Sequence, residues 1–208
     1  MKYLLLLWLI LAACNQPLNS QEEATDKKVG GPCEGCEAIF EYGNQQLTSV
    51  DTLPAFESTE PKLKITGKVL KKDGKTPAAD VVVYIYHTDR EGIYPTLGDE
   101  KGWARRHGYI RGWIKTDKDG HYAFYTFRPA SYPNRQAPEH IHITVKESGK
   151  TAYYLDDYLF EDDPLLTDPE RKRQRNRGGS GIVQPTMENG ILTVKRDLVL
   201  GLNIPDYE

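Results

Sequence analysis

The sequence has few of the features that would assign it at once to a large functional class. Its 27 basic and 30 acidic residues nearly balance, and the net charge of −3 gives no reason to expect a nucleic-acid partner. Apolar residues show no convincing helical period, apart from a short stretch at residues 168–174. The composition, 38% hydrophobic over 208 residues, suits one globular domain with its own core.

Histidine is also scarce, yet two of the five histidines lie close together. His140 and His142 are separated by one residue within an aliphatic run. Side chains of a strand alternate between its faces, so the two imidazoles share one face and the aliphatic side chains line the other. This arrangement predicts a metal site. The alternative is a strand whose polar face carries two histidines by coincidence.

The longest apolar run without charges lies at the amino terminus. Lys2 precedes apolar residues 3–13, a run too short to cross a bilayer as a helix and typical of a signal peptide. The segment Leu11-Ala12-Ala13-Cys14, at the end of this run, resembles the lipobox of bacterial lipoproteins. That resemblance implies removal of residues 1–13, lipidation of Cys14, and anchoring in the cell envelope, in the periplasm or at the outer membrane. An ordinary secretory signal followed by a coincidental cysteine is the alternative.

Polar residues without apolar periodicity follow, and we interpret residues 14–30 as a flexible tether to a folded domain at residues 31–208. Two further cysteines, Cys33 and Cys36, form a CxxC motif. Such a motif is compatible with a local disulfide, a redox pair or half of a zinc site. Export, and the lack of a second cysteine pair, favour the disulfide.

Short apolar segments separated by turn sequences predict an all-β fold. Dense or alternating apolar residues indicate strands at residues 64–69, 80–88, 109–116, 122–127, 140–147 and 191–200. A hairpin is expected at Glu188-Asn189-Gly190. The number and spacing of these segments predict an antiparallel β-sandwich. We interpret the basic run at residues 171–177 as a solvated surface loop.

Two long connections interrupt the strands, and each carries a tyrosine before a proline. Tyr94-Pro95 lies between the strands ending near residue 88 and starting near residue 109, and Tyr132-Pro133 lies between residues 127 and 140. Long loops on a compact domain are usually functional or disordered, and their aromatic residues favour function. Tyrosinate suits a strongly Lewis-acidic ion such as Fe(III), whereas Zn(II) usually binds histidine, cysteine and carboxylate.

The order and separation of these residues match a known family. With the motifs Gly92-Ile93-Tyr94-Pro95 and Arg128-Pro129, the set Tyr94, Tyr132, His140 and His142 resembles the intradiol ring-cleavage dioxygenases, over about residues 62–202. The resemblance implies a prealbumin-like β-sandwich with long active-site loops. It implies these four residues as ligands of a non-haem Fe(III). It also implies that O₂ opens a catecholic ring between its two hydroxyls to a muconate-type diacid, with Tyr132 taking up a substrate proton.

One position departs from the family pattern. Family members usually carry arginine three residues before the first histidine, where this chain has Ala137. Arg135 and Arg111 are the residues we expect to provide the missing positive charge, and Arg105 is a further candidate. Glu139 is expected to add a negative charge beside the metal.

Two other functions are compatible with part of the pattern. A non-catalytic prealbumin-like module that binds a ligand or partner at the cell envelope would explain the fold but not the ordered tyrosines and histidines. A zinc hydrolase could use the two histidines of residues 140–142, but the sequence shows no evident carboxylate ligand for it.

Overall fold

The computed structural model describes residues 26–134 and 136–208. The predicted signal peptide, Cys14, most of the predicted tether and Arg135 therefore lie outside the described residues. The strands are, in chain order, β1 (Val50–Thr52), β2 (Lys62–Leu70), β3 (Val82–Tyr86), β4 (Arg111–Lys115), β5 (His121–Phe127), β6 (His140–Lys146), β7 (Tyr153–Tyr154), β8 (Tyr158–Phe160), β9 (Ile182–Val183), β10 (Thr186–Glu188), β11 (Ile191–Lys195) and β12 (Leu198–Val199). The helices are a 3-10 helix at Cys36–Phe40, α1 (Ala104–His107) and α2 (Asp168–Arg173).

The strands form two sheets that pack face to face. One has the order β1-β5-β2-β11-β10, with β12 also pairing to β2, and the other has the order β4-β3-β6-β8-β9, with β7 also pairing to β6. The central pairs β2–β5, β3–β4 and β3–β6 are antiparallel. Four short strands, β1, β9, β11 and β12, instead join a neighbour in parallel. The predicted all-β sandwich is confirmed.

The longer predicted strands are present, except that the one predicted at residues 191–200 is divided into β11 and β12. The dense apolar run predicted as a central strand is β3, which lies between β4 and β6. The predicted hairpin joins β10 to β11, with Glu188 opposite Ile191, and α2 occupies the expected helical stretch. The two- and three-residue strands β1, β7, β8 and β9 were not predicted, because segments this short show no measurable alternation.

The core lies between the two sheets. Leu63, Ile65 and Phe124 of one sheet contact a layer that includes Val83 and Ile143 of the other, and all five are at most 1% exposed. Burial of each such side chain stabilises the fold by about 1.5–3 kcal/mol. Because side chains alternate along β6, burial of its aliphatic residues in this core turns both of its histidines towards the outer face.

The outer face of the β6 sheet is covered by the segment before β1. The 3-10 helix buries Ala38 and Ile39 against Tyr84 and Trp113. The indole Nε1 of Trp113 donates a hydrogen bond to the Ala38 carbonyl at 3.1 Å. A disulfide joins Cys33 to Cys36 at the start of this helix. The covered face therefore belongs to a second, smaller apolar cluster.

The last residues of the predicted tether, 26–30, pack on the sandwich rather than extending away from it. Val29 is 5% exposed and belongs to the main core. The amide of Lys27 donates to the Gly149 carbonyl at 2.9 Å, and the amide of Gly30 donates to the Pro205 carbonyl at 2.8 Å. Within residues 26–134 and 136–208, no helix is long and apolar enough to span a membrane.

The basic run at residues 171–177 is not entirely solvated, contrary to the interpretation made from the sequence. Arg177 is 2% exposed, and its guanidinium lies 3.6 Å from the centre of the Tyr154 ring. The same guanidinium donates to the carbonyls of Tyr154 and Gly30, at 3.0 and 3.1 Å. The aromatic face and the two carbonyls compensate the buried charge, and composition alone does not reveal such partners.

His87 links the end of β3 to β5 and makes stability depend on pH. It is fully buried, with Nε2 2.7 Å from the Thr126 hydroxyl, and its Nδ1 donates to the Thr88 carbonyl at 2.7 Å. Burial lowers the pKa of His87 to about 4, against about 6.5 for histidine in an unfolded chain. Between these values the unfolded state binds more protons, so stability is lost as the pH falls through this window.

We therefore expect the free energy of unfolding of the wild type to fall by about 2 kcal/mol more than that of His87→Gln between pH 7 and about pH 4.5. Urea denaturation at the two pH values measures the difference. Gln45→Ala, an exposed change that removes no titratable group, provides the control and should keep the wild-type pH dependence. Equal pH dependence in His87→Gln and the wild type would contradict the prediction.

Candidate metal centre

Four side chains from three segments meet on the outer face of the β6 sheet. The Tyr94 Oη lies 2.8 Å from the Tyr132 Oη and 2.8 Å from the His142 Nε2. The Tyr132 Oη is also 3.1 Å from the His140 Nε2. The fold thus brings together, atom to atom, the four residues that the sequence suggests as metal ligands.

The two tyrosine loops are held against each other by their backbones. Gly92 has a φ of +78°, and a Cβ at this position would lie 2.1 Å from the Ser131 carbonyl oxygen. Glycine therefore allows both the left-handed backbone and the close approach of the loops. The Thr88 hydroxyl donates to the Ala130 carbonyl at 2.7 Å, and the Ala130 amide donates to the Asp89 carbonyl at 3.0 Å. These contacts place Tyr94 and Tyr132 beside each other.

Hydrogen bonds determine which nitrogen of each histidine faces the tyrosines. The His140 Nδ1 lies 2.7 Å from the Pro138 carbonyl, which can only accept, so Nδ1 carries the proton. The His142 Nδ1 lies 3.1 Å from the Asp157 carboxylate and donates in the same way. Burial lowers the pKa of His140, which favours its neutral form. Both Nε2 lone pairs are therefore directed at the tyrosine oxygens.

The two phenols hold their protons strongly unless a cation is nearby. Burial raises the pKa of Tyr94, and the hydrogen bond that it donates to Tyr132 raises it further. Burial also raises the pKa of Tyr132. A strongly Lewis-acidic cation reverses this preference by stabilising the phenolate. Two neutral imidazoles and two ionisable phenols form a donor set that fits a hard, highly charged ion such as Fe(III) better than Zn(II).

Asp157 is a functional residue that we did not identify from the sequence. It lies between β7 and β8, and its carboxylate holds the imidazole of His142 by the Nδ1 contact at 3.1 Å. Burial opposes ionisation, but electrostatic attraction to the nearby His142 ring and the hydrogen bond from it lower the pKa of Asp157. Carboxylates that hold a ligand histidine in this way orient its ring and increase its basicity. No local motif marks a carboxylate that reaches the site from another strand connection.

A stack of aromatic rings borders the cluster. The register pairs Tyr86 of β3 with His142 of β6, and their ring centres are 4.5 Å apart. On its other face Tyr86 stacks on His107, with centres 3.8 Å apart and an interplanar angle of 6°. In the fold Tyr86 connects α1 to the cluster.

A cavity of about 260 Å³ opens beside the four donor atoms. Its wall is largely aromatic and also carries one acidic and one basic side chain, and the lining residues are Glu34, Tyr86, Tyr94, Trp103, Arg106, His107, Tyr132 and His142. This volume is near the lower end of small-molecule sites. Three larger cavities, of about 360, 480 and 800 Å³, are lined by none of the four donor residues. The small cavity is therefore the candidate substrate site.

Arg111 lies away from this cavity. The register places both Arg111 and His142 opposite Tyr86, on its two sides. The Tyr86 side chain thus separates them, and Arg111 instead pairs with Glu41 at 2.5 Å and lines the cavity of about 800 Å³. Arg105 donates to the Glu100 carbonyl at 3.0 Å and is exposed. Arg135 is outside the described residues, and Arg106 is the arginine that lines the small cavity.

Glu139 does not add a free negative charge beside the cluster, contrary to the expectation from the sequence. Its carboxylate pairs with the Nε of Arg128 at 2.5 Å. The other side of the same guanidinium binds Asp162, with contacts of 2.9 and 2.8 Å. Strand alternation directs Glu139 away from the face that carries His140, and Arg128 offsets part of its charge.

Comparison with known proteins shows similarity to dioxygenases. A family model described as "Dioxygenase" matches residues 41–190, more than half of the chain. The chain is 29% identical over 137 residues to the protocatechuate 3,4-dioxygenase beta chain of Burkholderia cepacia, which covers 60% of this chain and 58% of that protein. It is 31% identical over 203 residues to catechol 1,2-dioxygenase 1 of Acinetobacter lwoffii, which covers 90% of this chain and 60% of that protein. The chain thus spans roughly three fifths of the length of each relative.

A solved structure shares the fold. The dioxygenase domain of a dioxygenase and carbohydrate-binding protein fusion from Streptomyces sp. SirexAA-E superposes with a TM-score of 0.56 at 18% identity. The match covers 77% of this chain and 94% of that domain. At this identity the similarity concerns the arrangement of the two sheets.

The contact between Asp157 and His142 leads to a prediction about metal binding. Asp157→Asn should weaken the affinity for ferric ion by about 10–100-fold, because the amide orients the imidazole less firmly and does not increase its basicity. Competition with a chelator of known affinity measures this change. Glu188→Gln, an exposed change far from the cluster in β10, is the control and should leave the affinity unchanged. Wild-type affinity in Asp157→Asn would show that Asp157 does not support the site.

Proposed function

Because this chain belongs to the intradiol dioxygenase family, we propose that it is a non-haem Fe(III) enzyme that uses O₂ to open a catecholic ring between its two hydroxyls. The product would be a muconate-type diacid. The observation that carries the proposal is the convergence of Tyr94, Tyr132, His140 and His142 within 2.8–3.1 Å beside an aromatic cavity. The ordered tyrosines and histidines in the sequence support the same conclusion.

The four residues would hold the iron through the Tyr94 and Tyr132 Oη atoms and the Nε2 atoms of the two histidines. A ferric ion bound there supplies the Lewis acidity and redox chemistry that make a chelated catechol reactive towards O₂. The protein keeps both imidazoles in the required tautomer through the Pro138 carbonyl and the Asp157 carboxylate. It keeps the tyrosines in place through the paired loops.

The residues around the cavity have distinct roles in this proposal. Tyr132 lies in an irregular segment between β5 and β6 and lines the cavity, so its Oη can accept a proton from a substrate hydroxyl. Tyr86 and Trp103 present aromatic surfaces that can contact the substrate ring and exclude water. Arg135, in the loop between Tyr132 and His140, is the residue we propose to stabilise negative charge on the substrate in place of the family arginine.

We also propose that the protein is exported and anchored to the cell envelope through Cys14. The lipobox-like sequence supports this location, and the disulfide between Cys33 and Cys36 suits an oxidising compartment. The disulfide loop borders His142 through Pro32, Cys33 and Glu34, which line a second cavity of about 260 Å³. A compartment that preserves the disulfide would therefore also preserve one wall of the site.

One observation favours a second candidate, a site for a divalent metal. His140, His142 and Asp157 offer ligand atoms that all lie within 4.8 Å of one another. Two histidines and one carboxylate bind divalent iron or zinc in other proteins. The Asp157 carboxylate faces the Nδ1 of His142, whereas the tyrosines face its Nε2. The tyrosine-containing set therefore ranks first.

The visible spectrum distinguishes the ferric centre from both alternatives. Full-length protein purified in detergent and loaded with iron should be reddish, because tyrosinate bound to Fe(III) gives a visible charge-transfer band, and should contain about one iron per chain. Tyr132→Phe should remove or strongly shift the band, and His142→Ala should also lower the iron content. Tyr125→Phe, a change in β5 of the opposite sheet, should alter neither. Protein that stays colourless and iron-free after loading would refute the enzyme proposal. Colourless protein that binds zinc through His140 and His142 would favour the second candidate.

Oxygen uptake with a small panel of catechols tests the reaction itself. We expect uptake with at least one catechol and a diacid product that contains both oxygen atoms of labelled O₂. Tyr132→Phe should lower kcat by about 100-fold, the size expected for loss of a positioned proton acceptor. Tyr125→Phe is again the matched control. A coloured, iron-loaded wild type that cleaves no catechol would identify the site as a metal-binding module without this activity.

A further inference from the structure

One residue of the candidate substrate cavity has no part in the proposed reaction. His107, the last residue of α1, is 5% exposed and lines the cavity wall. Its ring stacks on Tyr86, which stacks in turn on His142, at centre distances of 3.8 and 4.5 Å. His107 therefore lies one ring away from a proposed metal ligand, on the side where a substrate ring would lie.

The hydroxyl of Tyr84 determines which of the two His107 nitrogens carries the proton. The Tyr84 Oη lies 2.9 Å from the His107 Nδ1, and Tyr84 is fully buried. Among the residues that the structure describes, Nδ1 is the one acceptor within hydrogen-bond distance of this hydroxyl. If Nδ1 donated instead, the buried hydroxyl proton would lack an acceptor. Tyr84 therefore donates to Nδ1, and the neutral imidazole carries its proton on Nε2.

The Nε2 of His107 lies beside Gly35, which has no side chain to pack against this nitrogen. A Cβ at Gly35 would lie 2.8 Å from this nitrogen, so any side chain at position 35 would pack against it. Gly35 belongs to the disulfide loop between Cys33 and Cys36 and has a φ of +85°. Within residues 26–134 and 136–208, the Nε2 has no hydrogen-bond partner. The loop therefore packs beside the imidazole and forms no hydrogen bond with its Nε2–H.

The charges at the same wall compensate each other. Arg106, next to His107 in α1, forms an ion pair with Glu34, and their side chains are 64% and 71% exposed. Both residues line the cavity. An exposed, compensated pair discriminates weakly between charged substrates. A neutral donor of fixed orientation, such as the His107 Nε2, is better suited to select among substrates by their polar substituents.

We propose that the Nε2–H of His107 donates a hydrogen bond to an oxygen substituent on the catechol ring, so that the enzyme prefers oxygen-substituted catechols to alkyl-substituted catechols of the same size. The proposal rests on the proposed function, because it assumes that a catechol occupies this cavity. It assigns His107 to substrate recognition and Tyr84 to positioning its proton.

Methoxycatechols and ethylcatechols test the proposal, because the two substituents have nearly the same size and only methoxy has an acceptor oxygen. Anaerobic titration of the full-length, iron-loaded protein with the 3- and 4-substituted isomers of each gives four dissociation constants. We expect the wild type to bind one methoxy isomer roughly fivefold more tightly than the matching ethyl isomer, the size of one neutral hydrogen bond. The visible band and the iron content are recorded for every variant.

Variants separate the donor from the ring stack. His107→Phe keeps the stack on Tyr86 but lacks the donor, so its ratio of methoxy to ethyl affinity should fall to about one. His107→Gln retains an N–H near the same place and should recover part of the preference. Tyr84→Phe releases the proton of His107 to either nitrogen and should reduce the preference without changing the iron content. Tyr125→Phe should keep the wild-type ratio.

A wild type without preference, or a wild-type ratio in iron-loaded His107→Phe, would overturn this proposal. The proposed function would then still stand, because binding and cleavage of catechols do not depend on that ratio. Loss of iron, colour and catechol binding in the wild type would instead refute the proposed function. If His107→Phe does not fold, Tyr84→Phe decides, and an unchanged ratio in that variant would refute the role of His107.

Discussion

The pairing of β6 with β3 determines the register on which the candidate metal centre depends. Ile143 of β6 lies opposite Ile85 and inside the core, whereas His142 lies opposite Tyr86 on the outer face. A shift of one residue would exchange the histidines for isoleucines and expose the apolar face of the strand. The hydrophobic core between the sheets therefore stabilises the fold and also the orientation of the candidate ligands. Burial of the apolar face of β6 keeps both imidazoles on its outer face.

Around β6, a hydrogen bond to one nitrogen of each imidazole leaves the other nitrogen directed at the site. The Pro138 carbonyl and the Asp157 carboxylate bind the Nδ1 atoms of the histidines, so both Nε2 atoms face the phenols. The Tyr84 hydroxyl binds the Nδ1 of His107 in the opposite sense, as a donor, so the Nε2 of His107 carries the proton. One kind of contact, a hydrogen bond to the remote ring nitrogen, thus sets the chemistry of three imidazoles. Such preorganisation lowers the cost of reorienting groups when a ligand binds.

The walls of the site come from separate parts of the chain. The disulfide loop contributes Glu34 and Gly35, and α1 contributes Arg106 and His107. The charged residues at the wall are paired, which leaves hydrogen bonding and aromatic contact as the means of recognition. Substrate preference in this chain is therefore expected to depend on the disulfide loop and α1 as well as on the residues next to the metal.

Local pattern in the sequence determined the β-sandwich, the central position of β3, the shared face of His140 and His142, and the candidate tyrosines 94 and 132. These features follow from strand alternation and from residue order along the chain, so they can be read without a structure. The tertiary structure alone decided that Asp157 holds His142, that Tyr86 separates Arg111 from the cluster, and that His107 borders the cavity. It also decided that Arg177 is buried. These features depend on the pairing of strands that are distant in the sequence and on the paths of long loops. The contacts that determine them join residues that are not neighbours in the chain.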